Sequence, residues 1–194
     1  MVGSDLREFL SHFFTAPRAV GAIAPSSRAL ADAMVAPLDL THAKAVVELG
    51  PGTGSITAAI AAALPVGTHY VGIELSAKFC ETLSRRFPHL TFINGSAENL
   101  VAILADAGIG QADAIICGLP WASLPTELQD RIMAGIVASL RPGGVFVTFA
   151  YLQGLLLPAA RQLRRRLRHE FARVETTQTV WRNLPPAFAY VCRK

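Results

Sequence analysis

The sequence predicts an α/β fold: a mostly parallel seven-stranded sheet with helices on both faces, an antiparallel final hairpin, and N-terminal helices in front. Three observations predict it. From Lys44 onward, short apolar runs alternate with helical stretches, the pattern of a parallel sheet covered on both sides. The run Val46-Val47-Glu48-Leu49-Gly50-Pro51-Gly52-Thr53-Gly54 reads as a buried strand entering a glycine turn that opens a helix. Near the end, two strands are joined only by Asn183-Leu184-Pro185-Pro186, which is too short for a crossover and makes them antiparallel.

The elements follow in order. Leu6, Phe9, Leu10, Phe13 and Phe14 trace the apolar stripe of a helix over 4–15, with Ser4 as its N-cap and Pro17 as its stop. The turn Ala24-Pro25-Ser26-Ser27 offers serines to cap a helix over about 28–36. Then come strand 45–50, helix 55–64, strand 68–74, helix 77–87, strand 90–94, helix 97–106 and strand 112–117. Helix 125–140 and strand 144–151 lead into a basic helix over 158–169, a strand near 171–182 and a last strand over 187–193.

A chain of 194 residues fits one domain. Although 52% of its residues are hydrophobic, no apolar run reaches the ~20 residues that span a bilayer. The longest candidate, Gly143 to Leu157, is interrupted by Thr148, Tyr151, Gln153 and Gly154. The acidic, amphipathic start argues against a signal peptide. Cys80, Cys117 and Cys192 are few, odd in number and widely spaced, which argues for a reducing compartment and against a disulfide framework or a zinc site. The five histidines are scattered, so no metal site is expected. Charge is uneven. Residues 1–150 hold 9 Lys/Arg against 12 Asp/Glu, whereas 151–194 hold 9 against 2. A basic end suits an anionic partner, either nucleic acid or a membrane surface.

A parallel α/β sheet binds its ligand beyond the carboxyl ends of the strands, where the strand order reverses. Four such ends converge: Glu48–Gly54, Glu74-Leu75, Asn94-Gly95-Ser96-Ala97 and Cys117-Gly118-Leu119-Pro120-Trp121. Glu74 ends the second strand ~20 residues past the turn, where an acidic side chain accepts from both ribose hydroxyls. Gly50, Gly52 and Gly54 depart from the dinucleotide spacing Gly-x-Gly-x-x-Gly, because Ser55 stands where its third glycine belongs. Glu48 beside the turn repels a pyrophosphate and attracts an α-amino group. S-adenosylmethionine (AdoMet) is therefore favoured over a nicotinamide dinucleotide.

On these residues the chain resembles the class I AdoMet-dependent methyltransferases over roughly residues 44–193. The resemblance implies a Rossmann-like class I methyltransferase core over 44–194 and a segment, 1–36, that caps the cofactor site. It implies Glu48, Gly50, Pro51, Gly52, Thr53 and Gly54 around the methionine portion, and Glu74 and Leu75 at the ribose and adenine face. Ser96 and Ala97 would lie at the adenine edge, with Ser26, Gly118 and Leu119 completing the cofactor site. Gly118-Leu119-Pro120-Trp121 stands where amino-methylating members carry an Asn- or Asp-led tetrad that grips a planar amine. Gly118 has no amide to offer, which counts against adenine and favours a small, flexible amine near Trp121.

Longer strings narrow the resemblance: Val20-Gly21-Ala22-Ile23-Ala24-Pro25-Ser26-Ser27, the glycine turn, Gly118-Leu119-Pro120-Trp121 and Asn183-Leu184-Pro185-Pro186-Ala187 look like those of bacterial phospholipid N-methyltransferases. This implies methylation of phosphatidylethanolamine and its methylated intermediates towards phosphatidylcholine, with S-adenosylhomocysteine released. Ornithine-lipid N-methylation and rRNA adenine N6-methylation are the alternatives, and nucleic acid is not the expected partner. Trp121 and Tyr151 are the candidate catalytic residues, offering ring faces and a hydroxyl to the amine. Arg18, Arg182 and Tyr190, with Trp121 and Tyr151, are the candidate acceptor-binding residues, the guanidinium forks serving the lipid phosphate. The helix over 4–15 and the basic helix over 158–169, with Leu156, Ala160, Leu163, Leu167 and Phe171 on one stripe, are expected to meet an anionic membrane. The expected location is cytoplasmic, peripherally associated with the inner membrane.

Overall fold

The structure, a computed structural model, describes residues 26–194. The expected helix over 4–15 and Arg18 lie outside these residues. Helix α1 (Arg28–Val35) starts at Ser27, whose hydroxyl accepts from the Leu30 N–H at 3.2 Å, an N-cap worth about 1 kcal/mol. Strand β1 (Ala45–Leu49) runs into α2 (Ser55–Ala63), then β2 (His69–Glu74), α3 (Ala77–Arg86) and β3 (Thr91–Asn94). A short 3₁₀ turn precedes α4 (Leu100–Asp106), followed by β4 (Ala112–Cys117), α5 (Thr126–Ser139) and β5 (Leu140–Tyr151). Helix α6 (Pro158–Glu170), β6 (Arg173–Thr176) and β7 (Ala187–Arg193) finish the chain.

The sheet order is β3-β2-β1-β4-β5-β7-β6. The first five strands in the chain are parallel, and β7 pairs antiparallel with both β5 and β6. The order therefore reverses between β1 and β4, where Val47 faces Ile115 in register and Leu49 faces Cys117. All five positions of β1 are buried, because helices cover both faces; this is why its sequence is almost continuously apolar.

Two apolar layers hold the sheet. On one face Val47, Leu49, Ile115 and Phe146 pack with Leu100, Ile136 and Leu167 from α4, α5 and α6. On the other, Val46, Ile116 and Val147 pack with Leu30 and Met34 of α1 and Ile60 of α2. Each such side chain, fully buried, contributes roughly 1.5–3 kcal/mol.

Two expectations shift. The strand expected near 171–182 is regular only over Arg173–Thr176, with an isolated bridge between Val180 and Ala187. The apolar stripe of α6 keeps Leu163, Leu167 and Phe171 in the core, but Leu156 falls in a separate 3₁₀ segment (Leu152–Leu156) and is exposed. Pro158 sits in the first turn of α6, where its missing N–H costs nothing, so the helix begins after Leu156.

Candidate active site

The glycine turn leaves β1 at the strand-order reversal. Gly50, Gly52 and Gly54 have φ of 68°, 55° and 81°, left-handed conformations that side chains resist. A second constraint binds Gly50 to β4. A Cβ on Gly50 would meet Leu119 Cδ2 at 2.6 Å, and one on Gly118 would meet the Gly50 carbonyl oxygen at 2.8 Å. The two segments close on each other through Gly118 N–H to Leu49 O at 2.8 Å, while Gly50 N–H to Ile73 O at 2.9 Å ties the turn to β2. Gly118 is thus the close-approach point of the β1–β4 seam, and a side-chain amide has no room there.

Glu74 ends β2 and accepts from two backbone donors, the Gly52 N–H at 3.0 Å and the Ser76 N–H at 2.9 Å. These bonds fix its carboxylate against the turn. Each oxygen keeps a further lone pair for a hydroxyl. Burial raises the Glu74 pKa, with the backbone donors pulling it back. Beside it opens a cleft lined by Gly50, Ile73, Glu74, Leu75, Gly95, Ser96, Ala97, Leu119, Leu124 and Ile132. Six residues expected at the cofactor, namely Gly50, Glu74, Leu75, Ser96, Ala97 and Leu119, therefore share one cleft. A larger groove lies at the opposite ends of β2 and β3, among Thr68, His69, His89 and Asp106, away from the turn.

Glu48 lies fully buried under the turn. Its Oε2 accepts from the Thr57 hydroxyl at 2.8 Å and from the Tyr70 hydroxyl, while its Oε1 is buried without a partner. Burial outweighs these bonds and pushes the Glu48 pKa up to about 7. Nothing local in the sequence marks Tyr70 or Thr57 as partners of Glu48. Tyr70 stands 22 positions from Glu48, and only the β1–β2 pairing brings them together.

The acceptor side departs further from expectation. Trp121 is 3% exposed and belongs to the core. Its indole N–H donates to Thr148 Oγ1 at 3.0 Å, whose hydroxyl donates to Cys117 O at 3.2 Å. A buried indole needs such an acceptor, and here that anchor turns the ring into packing rather than a face for a ligand. Tyr190 is likewise buried, edge-on to Phe188 with ring centroids 5.1 Å apart. Tyr151, at the carboxyl end of β5, is different: its hydroxyl is buried without a partner, and burial raises its pKa well above the usual phenol value. Arg182 is exposed in the loop before β7, Ser26 is half-buried, and Pro51 and Thr53 complete the turn, Pro51 buried and Thr53 exposed.

Asn183 has a structural role that its turn-like sequence conceals. It is 1% exposed, accepts from the Ser27 N–H at 2.9 Å and donates to Pro185 O at 2.7 Å. It clasps the start of α1 to the β6–β7 loop.

These features fit AdoMet: an open cleft for an adenosine, an oriented carboxylate for its ribose, glycines that admit the ligand, and an orphaned acidic oxygen for a cation. A family model described as a methyltransferase domain matches residues 46–144, and the chain belongs to that family: it is a class I AdoMet-dependent methyltransferase. It is 34% identical over 192 residues to an ornithine lipid N-methyltransferase from Singulisphaera acidiphila, covering 97% of this chain and 96% of the relative. Among solved structures it resembles TomG, an O-methyltransferase from Streptomyces achromogenes in complex with AdoMet (TM-score 0.67, 20% identity, 96% and 90% of the two chains). It also resembles an O-methyltransferase from Bacillus cereus in complex with S-adenosylhomocysteine (TM-score 0.65, 17% identity, 98% and 91%). These two likenesses show the shared fold.

Proposed function

We propose that the enzyme methylates the primary amine of a membrane lipid, with an ornithine lipid as the leading acceptor and phosphatidylethanolamine second. The observation that carries this reading is the near-full-length likeness to an ornithine lipid N-methyltransferase. It moves the preferred acceptor away from phosphatidylethanolamine. The geometry at Gly118 agrees, since the crowded seam leaves no amide to hold a flat nucleobase, which weighs against an RNA adenine.

In this reading Glu74 takes the ribose hydroxyls and Leu75, Ser96 and Ala97 bracket the adenine. The unpartnered Glu48 Oε1, buried under the turn, is the proposed acceptor for the cationic end of the ligand. AdoMet, when bound, supplies a methyl group already activated by its sulfonium, so the protein chiefly positions and desolvates. The acceptor nitrogen must arrive neutral. Tyr151 keeps its proton at neutral pH because burial raises its pKa; it therefore orients the amine by hydrogen bonding and is not the base. Trp121 holds the β4 and β5 ends together through Thr148. Arg182 and, outside the described residues, Arg18 are the proposed contacts to the lipid's anionic group, a carboxylate or a phosphate. No helix among the described residues is long and apolar enough to cross a membrane, and a peripheral position at the inner membrane is proposed.

The test supplies labelled AdoMet with ornithine lipid, phosphatidylethanolamine or RNA in parallel. Label entering ornithine lipid fastest is expected. Label entering RNA alone overturns the reading.

A further inference from the structure

Six large apolar side chains are exposed among the described residues, and four of them lie at one end of the sheet. Leu156 and Leu157 are 80% and 53% exposed, and Trp181 and Leu184 are 71% and 79% exposed. The two pairs come from different segments. Leu156 and Leu157 follow the end of β5, while Trp181 and Leu184 sit in the loop that enters β7. Tyr151 pairs with Ala187 at this end, and the Leu152 N–H donates to Pro186 O at 2.9 Å, so both segments leave the sheet side by side. Because β5 is parallel to β1 and β4, this is the end that carries the glycine turn and the cleft.

Charge surrounds the apolar edge. Arg182 stands between Trp181 and Leu184, and α6 starts here with Arg161, Arg164 and Arg165 exposed. None of these four has a carboxylate partner among the described residues. Arg166 is not part of this surface, because it is paired with Asp130 and donates to Gln129 Oε1 at 3.1 Å.

We propose that Leu156, Leu157, Trp181 and Leu184 form an insertion edge that seats this end of the enzyme in a bilayer of anionic lipid. The exposed arginines meet the headgroups and the apolar side chains enter below them. An indole with an apolar body and a polar N–H suits that boundary. Arginines worth about 1 kcal/mol each at an anionic surface hold the edge down reversibly. The cleft mouth then faces the membrane, so an amine-bearing lipid is reached without leaving its leaflet. The inference rests on the lipid reading above and adds to it where the membrane touches: the β6–β7 loop and the 156–157 corner, with the basic helix supplying charge from the side.

Trp181 reports on its own docking, because Trp121, the other tryptophan, is buried and tied to Thr148. The full chain is mixed with vesicles of phosphatidylglycerol and phosphatidylcholine, and tryptophan emission is followed together with quenching by acyl-chain-brominated lipid. The expected result is a blue shift with quenching in the wild type and a flat response in Trp181→Phe, whose remaining emission is that of Trp121. The pair Trp181→Ser with Leu184→Ser is expected to lower vesicle partitioning about tenfold, while turnover on the same lipid dispersed in detergent micelles is unchanged. Sedimentation with vesicles while Trp181 emission stays unshifted overturns the proposal, as does no sedimentation, or a Trp181 response to RNA instead. The micelle assay separates the two readings. Lipid methylation without Trp181 insertion sinks the edge alone, whereas insertion without methylation of any lipid sinks the acceptor assignment.

Discussion

The two halves of the crevice are built by opposite means. Around the glycine turn every element faces inward: Glu74 is held by two backbone donors, Glu48 by two hydroxyls, and Gly50 and Gly118 touch through their backbones. Around the ends of β5 and β7 the chain faces outward, with leucines and a tryptophan exposed and arginines that have no carboxylate partner among the described residues. A buried polar network tolerates little change, because each lost partner strands a desolvated group. An exposed apolar edge tolerates almost anything until its partner arrives. The contrast teaches that folding fixes the inward half, whereas the outward half is left for the lipid surface proposed above.

Breaking the inward half has the largest expected effect. Glu74→Ala strands the Gly52 and Ser76 N–H groups and removes the proposed ribose acceptor, so AdoMet affinity is expected to fall on the order of 100-fold, measured by calorimetry. An unchanged affinity would show that the cleft binds its nucleoside elsewhere. The second test concerns pH. A buried carboxylate whose pKa is raised from the ordinary value to about 7 favours the folded state while protonated. That contribution is fully present below the unfolded value near 4.5 and is lost as pH climbs through 7. The ligand-free enzyme should therefore lose on the order of 3 kcal/mol of stability from this residue between pH 4.5 and 8. Glu48→Gln, measured by denaturant unfolding across that range, should flatten this slope; an identical slope places the titrating group elsewhere.

Between the halves stands Tyr151. Tyr151→Phe deletes an unpartnered hydroxyl, so stability should hold while kcat drops about tenfold with AdoMet affinity unchanged. Loss of AdoMet binding instead would assign the residue to the inward half. Smallest of all, Arg165→Ala should move unfolding stability by less than about 0.5 kcal/mol yet weaken vesicle binding. A larger stability change would mean that α6 uses this arginine for its own packing.

Much of the inward half is legible in the sequence because its signals are local. The strand and turn of residues 45–54 carry their own periodicity and glycines, and Glu74, Ser96 and Leu119 follow from strand ends alone. β4 and β7 occupy the expected spans, 112–117 and 187–193. What the sequence conceals is contact across distance. Tyr70 reads as one more apolar strand residue until β2 sets it beside Glu48, and Asn183 reads as a turn former until Ser27 meets it across 156 positions. Trp121 misleads for a related reason, since an aromatic after a proline looks offered to a ligand, and only Thr148 on a neighbouring strand shows where its nitrogen points.

The contact between Gly118 and the Gly50 carbonyl limits how this scaffold can be re-engineered. Importing a side-chain amide at position 118 is not a one-position edit here. The incoming carbon would have to displace the main chain of the glycine turn at Gly50, so, with that turn as the proposed cradle of the methyl donor, any gain in new substrate grip would be offset at once by a weaker hold on the donor.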